Sequence, residues 1–183
     1  MEGGGLPQLR MQLSLTREVW APPIAPGYEL RLLAEEGMED WIAVLNSTGD
    51  LGCWTVERAH RAIGPGGRSM VPAEAIQMAY HAGRPVATAC LTVHPDCGDA
   101  ELGWVAVHPG HRRRGLGRLV CAAVLQDMRL RGYRRAFLLT DDHRSSAILL
   151  YWLMGFRPEL THPSHRQRWE GLAQRLGLAP DGA

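Results

Sequence analysis

Apolar positions change period several times along the chain, and each change predicts an element. Tyr28 to Ala34 reads as a strand. From Glu35 to Asn46 the apolar residues Met38, Trp41, Ile42 and Leu45 recur at helical spacing. A second helix is expected over Val56 to Ile63, stopped by Gly64-Pro65-Gly66-Gly67. Ala73 to Tyr80 and Pro85 to Val93 are strand-like runs joined by His81-Ala82-Gly83-Arg84, a hairpin signal. Pro95 to Gly98 makes the next turn, and Glu101 to Val107 is a further apolar strand. The middle of the chain therefore reads as an antiparallel meander.

Beyond it, Leu119, Val120, Ala123, Val124 and Met128 share one face of a long helix that Gly132 ends. Arg135 to Thr140 reads as a strand. Ser145 to Met154 reads as a helix that is apolar all round and is expected to be buried on several sides. Trp169, Leu172, Ala173 and Leu176 define a last amphipathic helix from His165 to Leu176. Residues 1–27, with three consecutive glycines and Pro22, Pro23 and Pro26, are expected to form a flexible tail. The expected organisation is thus a tail (1–27), one domain (28–160) and a C-terminal helical extension (161–183).

Composition narrows the classes. In a chain of 183 residues, 45% hydrophobic and 21% charged residues with a net charge of +1 describe an ordinary globular protein, neither disordered nor strongly polyanion-seeking. The longest apolar stretch, Ala147 to Phe156, is half of the ~20 residues a membrane helix needs. No membrane partner is expected. Arg10, Arg17 and Glu18 interrupt the first twenty residues, so the chain reads as cytoplasmic. Cys53, Cys90, Cys97 and Cys121 are widely spaced and read as small buried thiols. His94-x-x-Cys97 and His162-x-x-His165 lack a partner pair at zinc spacing, and no metal is expected. All the basic side chains are arginine. Those at 129, 131, 134 and 135 follow a helix end, where solvated charge is common, and acids elsewhere offset them; no nucleic acid partner is expected. Trp41, Trp54 and Trp152 lie within helical patterns and read as core.

One segment carries chemistry of its own. Arg112-x-x-Gly115-x-Gly117 lies between a strand and a helix. The first turn of a helix holds four unpaired N–H groups and roughly half a positive charge. Glycines at 115 and 117 let an anion approach those groups, while Arg112, Arg113, Arg114 and Arg118 supply charge for further oxygens. A ligand carrying a pyrophosphate is expected. The segment is neither a Walker A loop nor a dinucleotide fingerprint.

With its surroundings, this segment resembles the GCN5-related N-acetyltransferase (GNAT) family. The family's cofactor segment, a strand ending in Val-x-Pro followed by Arg-x-x-Gly-x-Gly or Ala, has its counterpart in Trp104-Val105-Ala106-Val107-His108-Pro109 and Arg112 to Gly117. A later family motif, an alanine four residues before a tyrosine and then Gly-Phe, corresponds to Ala147, Tyr151, Gly155 and Phe156. Arg144 stands where the family often has an asparagine that supports the pantetheine arm. The resemblance implies an α/β fold: a twisted, mostly antiparallel mixed sheet flanked by helices on both faces, opening as a V between residues 101–107 and 135–140. It also implies acetyl-CoA as co-substrate and direct acetyl transfer to a small-molecule or peptide amine in a ternary complex.

By the same resemblance, the backbone of Val105, Ala106 and Val107, with Arg112, Arg113, Arg114, Gly115, Leu116, Gly117 and Arg118, binds the cofactor. The N–H near Val105 also faces the developing oxyanion. Tyr151 corresponds to the tyrosine that protonates the departing thiolate. A phenol titrates near ~10 and a thiol near ~8.5, so a hydrogen bond that strengthens as sulfur becomes anionic serves as well as full transfer. Glu101 stands where some members carry a basic glutamate; strand alternation puts it on the face of Gly103 and Val105 unless a bulge intervenes. A surface glutamate is the alternative for Glu101, and Asp99, His108 and His111 are weaker candidates. His165, Arg168 and Trp169 on the last helix could cover the acceptor site, cap the sheet or meet a second subunit in a homodimer. A catalytically weak CoA-binding sensor or scaffold is the competing reading of the whole.

Overall fold

The computed structural model describes residues 6–63, 70–94 and 100–178. In chain order, the seven strands and five α-helices among the described residues are β1 (Leu9–Ser14), β2 (Tyr28–Leu32), α1 (Met38–Ser47), α2 (Val56–Ile63), β3 (Ile76–His81), β4 (Arg84–Val93), β5 (Ala100–Val107), α3 (Leu116–Leu130), β6 (Arg135–Thr140), α4 (Ser145–Leu153), β7 (Arg157–Glu159) and α5 (His165–Leu176). They fall into two compact units: Ser14–Ala136, and Met1–Leu13 with Phe137–Ala183. None of these helices is long and apolar enough to cross a membrane.

In the larger unit, β2, β3, β4 and β5 pair in sequence order, each antiparallel to the next, so the expected meander is present. The β3–β4 hairpin turns through Ala82 (φ +49°) and Gly83 (φ +74°). Two successive left-handed residues match the twist of the flanking strands, which is why Gly83 stands there. One face of the sheet sends Ile76, Met78, Tyr80, Cys90 and Ala106 into a core with Trp41, Val44 and Leu45 of α1, Trp54, and Ala59 of α2. Helix α3 packs on the same strands through Leu119, Val120, Val124 and Met128, all buried, so the alternate strand residues, among them Ala79, Ala87 and Leu91, lie beneath it. Burying a Trp or Leu in this way stabilises the fold by about 1.5–3 kcal/mol per side chain.

The smaller unit corrects the expected tail. Residues 9–14 form β1, paired antiparallel with β7 in the register Arg10↔Glu159, Met11↔Pro158 and Gln12↔Arg157, with β6 on its other side. Leu9 and Met11 are fully buried. Alternating Leu9, Met11 and Leu13 carry period 2, and that burial outweighs the glycines and prolines around it. Helix α5 spans the expected residues. It is tied to the loop after β6 by Arg168, whose guanidinium donates to the Asp142 carboxylate and to the Pro7 carbonyl. These bonds hold the Asp142 carboxyl below its usual range. Helix α4 is the second correction, since it buries only Ile148 and Tyr151 while Leu149 and Leu153 are exposed. Trp152 is likewise half-buried beneath the Arg157 guanidinium, 4.4 Å from its ring, and is not a core residue. The expected breaker at 64–67 and the turn at 95–98 lie outside the described residues, with Cys97 and Asp99. Cys90 and Cys121 are buried thiols as expected, and burial pushes Cys121 up to about 12, whereas Cys53 is exposed.

Candidate functional site

Strand β5 and the turn that follows bring most of the expected cofactor residues together. Val107 ends the strand, and a single 3-10 turn, Pro109–His111, leads into the arginines. His108 Nδ1 accepts the Gly110 N–H at 3.2 Å, and Arg112 Nε donates to the Val107 carbonyl at 3.3 Å. Arg113 (φ +59°) and Gly115 (φ +79°) are both left-handed, and Gly115 is the N-cap of α3. Left-handed residues in such a turn converge successive N–H groups into a concavity that suits an anion. The helical ladder begins with Leu119 N–H to Gly115 O at 3.0 Å, so the amides of Leu116, Gly117 and Arg118 precede it. Arg112, Arg113 and Arg114 are exposed, and among the described residues they form no ion pair. Positive charge of this kind next to a helix N-terminus is an arrangement that suits an anion.

An imidazole cluster borders this loop. Tyr28 Oη and His111 Nδ1 are 2.9 Å apart, and the His81 and His108 rings lie 5.2 Å and 5.7 Å from that of His111. Desolvation, then His81, His108 and Arg114, hold His111 below its usual value, so it is neutral where a free imidazole would begin to charge.

Strand β5 itself departs from regular alternation. Thr88 pairs with Ala106 but Cys90 pairs with Gly103, so Trp104 and Val105 together oppose Ala89. Trp104 sits at φ +50°, an unusual conformation for a large side chain. The bulge lets the Trp104 ring meet Trp54 edge-on at 4.6 Å on the face that also takes Ala106. The expectation that Glu101, Gly103 and Val105 share a face is therefore corrected: Glu101 and Gly103 do, and the extra residue turns Val105 to the other. On the Glu101 face, Gly103 packs so closely on Thr92 that an added Cβ would come within 2.5 Å of Thr92 Oγ1. Gly103→Ala is expected to lower stability by about 1–3 kcal/mol through overpacking, measured as the midpoint shift in urea.

Glu101 is no isolated surface carboxylate. Its Oε2 is 2.6 Å from His94 Nε2, and the glutamate side chain is only 17% exposed. In the smaller unit, Tyr151 lies on α4, 3% exposed, with its ring 6.0 Å from that of Phe156 in edge contact. The chain reverses after α4 through Gly155 at φ +98°, and the Phe156 N–H returns to the Tyr151 carbonyl at 3.0 Å. This explains the Gly-Phe pair: glycine turns the backbone and the phenylalanine closes over the tyrosine. Sequence reasoning missed the Trp104 bulge and the His94 partner. The only signal for the latter was a histidine at the far end of the neighbouring strand, visible once register is known.

The model of the acetyltransferase (GNAT) family matches residues 30–156. A mycothiol acetyltransferase of Thermobispora bispora is 31% identical over 162 residues, covering 80% of this chain and 52% of that protein. The chain thus spans about half the length of this relative. Among solved structures, a GCN5-related N-acetyltransferase from Sphaerobacter thermophilus superposes with a TM-score of 0.64 at 20% identity, over 84% of this chain and 50% of that one. Another, from Kribbella flavida, gives 0.58 at 23%, over 84% and 55%. These likenesses establish the α/β fold expected from the sequence.

Proposed function

Because this chain belongs to the acetyltransferase (GNAT) family, we propose that it transfers the acetyl group of acetyl-CoA directly to a primary amine in a ternary complex. The single observation that carries this reading is the loop at 112–118: exposed arginines without an ion pair among the described residues, and a left-handed glycine cap before a long helix. A diphosphate is the anion of CoA that such a loop suits.

The chemistry assigns a role to each group. The diphosphate lies on the amides of Gly115 to Arg118 and draws on the charge of Arg112, Arg113 and Arg114. The pantetheine runs along Val105 to Val107 as an added strand would. A peptide N–H at the bulge faces the thioester oxygen; preorganised donors of this kind contribute about 3 kcal/mol to the transition state. The amine nitrogen attacks the carbonyl carbon and its proton passes to Glu101. The carbon–sulfur bond then breaks, and Tyr151 donates to the departing thiolate.

Free-thiol release from acetyl-CoA with a pooled amine library tests the activity. Acceptor-stimulated release is expected, and the name of the curated relative is reason to put mycothiol-type acceptors first in the pool. Tight acetyl-CoA binding without stimulated release would instead make the chain a CoA-binding sensor. Tyr151→Phe is expected to lower turnover about tenfold with acetyl-CoA affinity unchanged. Unchanged turnover would remove Tyr151 from the mechanism.

A further inference from the structure

Trp20 is the one large aromatic side chain that stands mostly in solvent among the described residues, with 60% of its surface exposed. It lies well outside the motifs, yet it is not remote from them. The Arg118 guanidinium, on the first turn of α3, lies 4.7 Å from the centre of the Trp20 ring. Arg118 Nε is covered and finds no hydrogen-bond acceptor among the described residues, so the indole is the group that this guanidinium packs on. One side of the indole is thus occupied by an arginine of the phosphate loop, and much of the rest is open.

We propose that the open face of Trp20 is the platform for the purine of CoA, giving a stack of purine, indole and guanidinium. This rests on the reading that the loop grips the diphosphate. In CoA the adenosine is joined directly to that diphosphate, so a flat apolar surface one arginine side chain from the loop is where the base arrives. The chemistry suits a nucleobase: every purine offers a π-face, and an indole backed by a cation binds it without reading its hydrogen-bonding edge. An exposed indole otherwise contributes little to the fold, whereas covering it on ligand binding removes apolar surface from water. The assignment also gives Arg118 a second role. Its charge stays beside the diphosphate while its plane supports the ring that carries the base.

The test is calorimetric titration of this chain and its variants Trp20→Ala and Trp20→Phe with CoA, with adenosine 3′,5′-bisphosphate and with 4′-phosphopantetheine, the part of CoA that lacks the nucleoside. Trp20→Ala is expected to weaken CoA about tenfold, within the range seen when a stacking aromatic is truncated, and to weaken the bisphosphate in parallel. Trp20→Phe retains a π-face and is expected to recover most of the loss, and 4′-phosphopantetheine is expected to bind all three proteins alike. CoA binding that Trp20→Ala leaves intact overturns the platform and spares the diphosphate reading. Equal losses for CoA and 4′-phosphopantetheine also overturn it, because they mark a structural role. A wild-type chain without affinity for CoA overturns the diphosphate reading itself, and the platform with it.

Discussion

Replacing Arg112, Arg113 and Arg114 together by alanine is expected to weaken CoA binding roughly a hundredfold and to leave the fold unchanged. All three side chains are exposed, and the hydrogen bond from Arg112 to the Val107 carbonyl is the one that the variant gives up among the described residues. Removing one charged hydrogen-bond partner of a phosphate in this open setting costs about 1 kcal/mol, at the low end for charged groups because water competes, and three such losses multiply. Calorimetry at fixed ionic strength measures the effect, with a thermal melt as the control for folding. The amides of α3 remain in the variant, so some affinity is expected to survive. An affinity equal to that of the wild type would mean that the diphosphate lies elsewhere.

Glu101→Gln is the second large effect. Glutamine keeps the size and still offers an oxygen to His94 Nε2, so the Glu101–His94 contact at 2.6 Å is preserved while the basic carboxylate is lost. General bases contribute about a hundredfold or more, and turnover at neutral pH is expected to fall by about that factor with acetyl-CoA affinity unchanged. An acceptor ammonium near ~10.4 is almost wholly protonated at that pH, which is why the proton must go somewhere. The pH profile of turnover is the sharper readout. If the variant kept both the wild-type rate and the wild-type profile, the proton acceptor would have to be another group.

Much of this architecture was legible because local signals and tertiary packing agree. The helix over Val56–Ile63, the strand over Arg135–Thr140 and the helix over His165–Leu176 have the bounds that periodicity implies. The arginine-glycine turn before α3 was legible because its pattern is local: the exposed arginines and the glycine that caps the helix are both visible in one dozen residues. What failed was non-local. The strand at Leu9–Ser14 is made by a partner 147 positions or so further on, a distance set by its pairing with residues 157–159, and no local rule predicts that partner. Its three-residue counterpart after Phe156 is too short to carry a period at all. The bulge at Trp104 exists because an indole packs on Trp54, and a left-handed tryptophan has no sequence signature. Glu101 and His94 meet only through the register of β4 against β5. The first turn of α1 shows the same limit in small. Apolar spacing suggested a start at Glu35, but the chain makes a turn closed by Gly37 N–H to Ala34 O and the helix begins at Met38.

The proposed activity turns on where the diphosphate sits, and titrating CoA into a uniformly nitrogen-15-labelled sample reads this most directly. The backbone amides of Gly115, Leu116, Gly117 and Arg118 are expected to show the largest shifts, moving together and saturating as one site fills. Resonances for these four that stay still while amides in another part of the chain respond would contradict it.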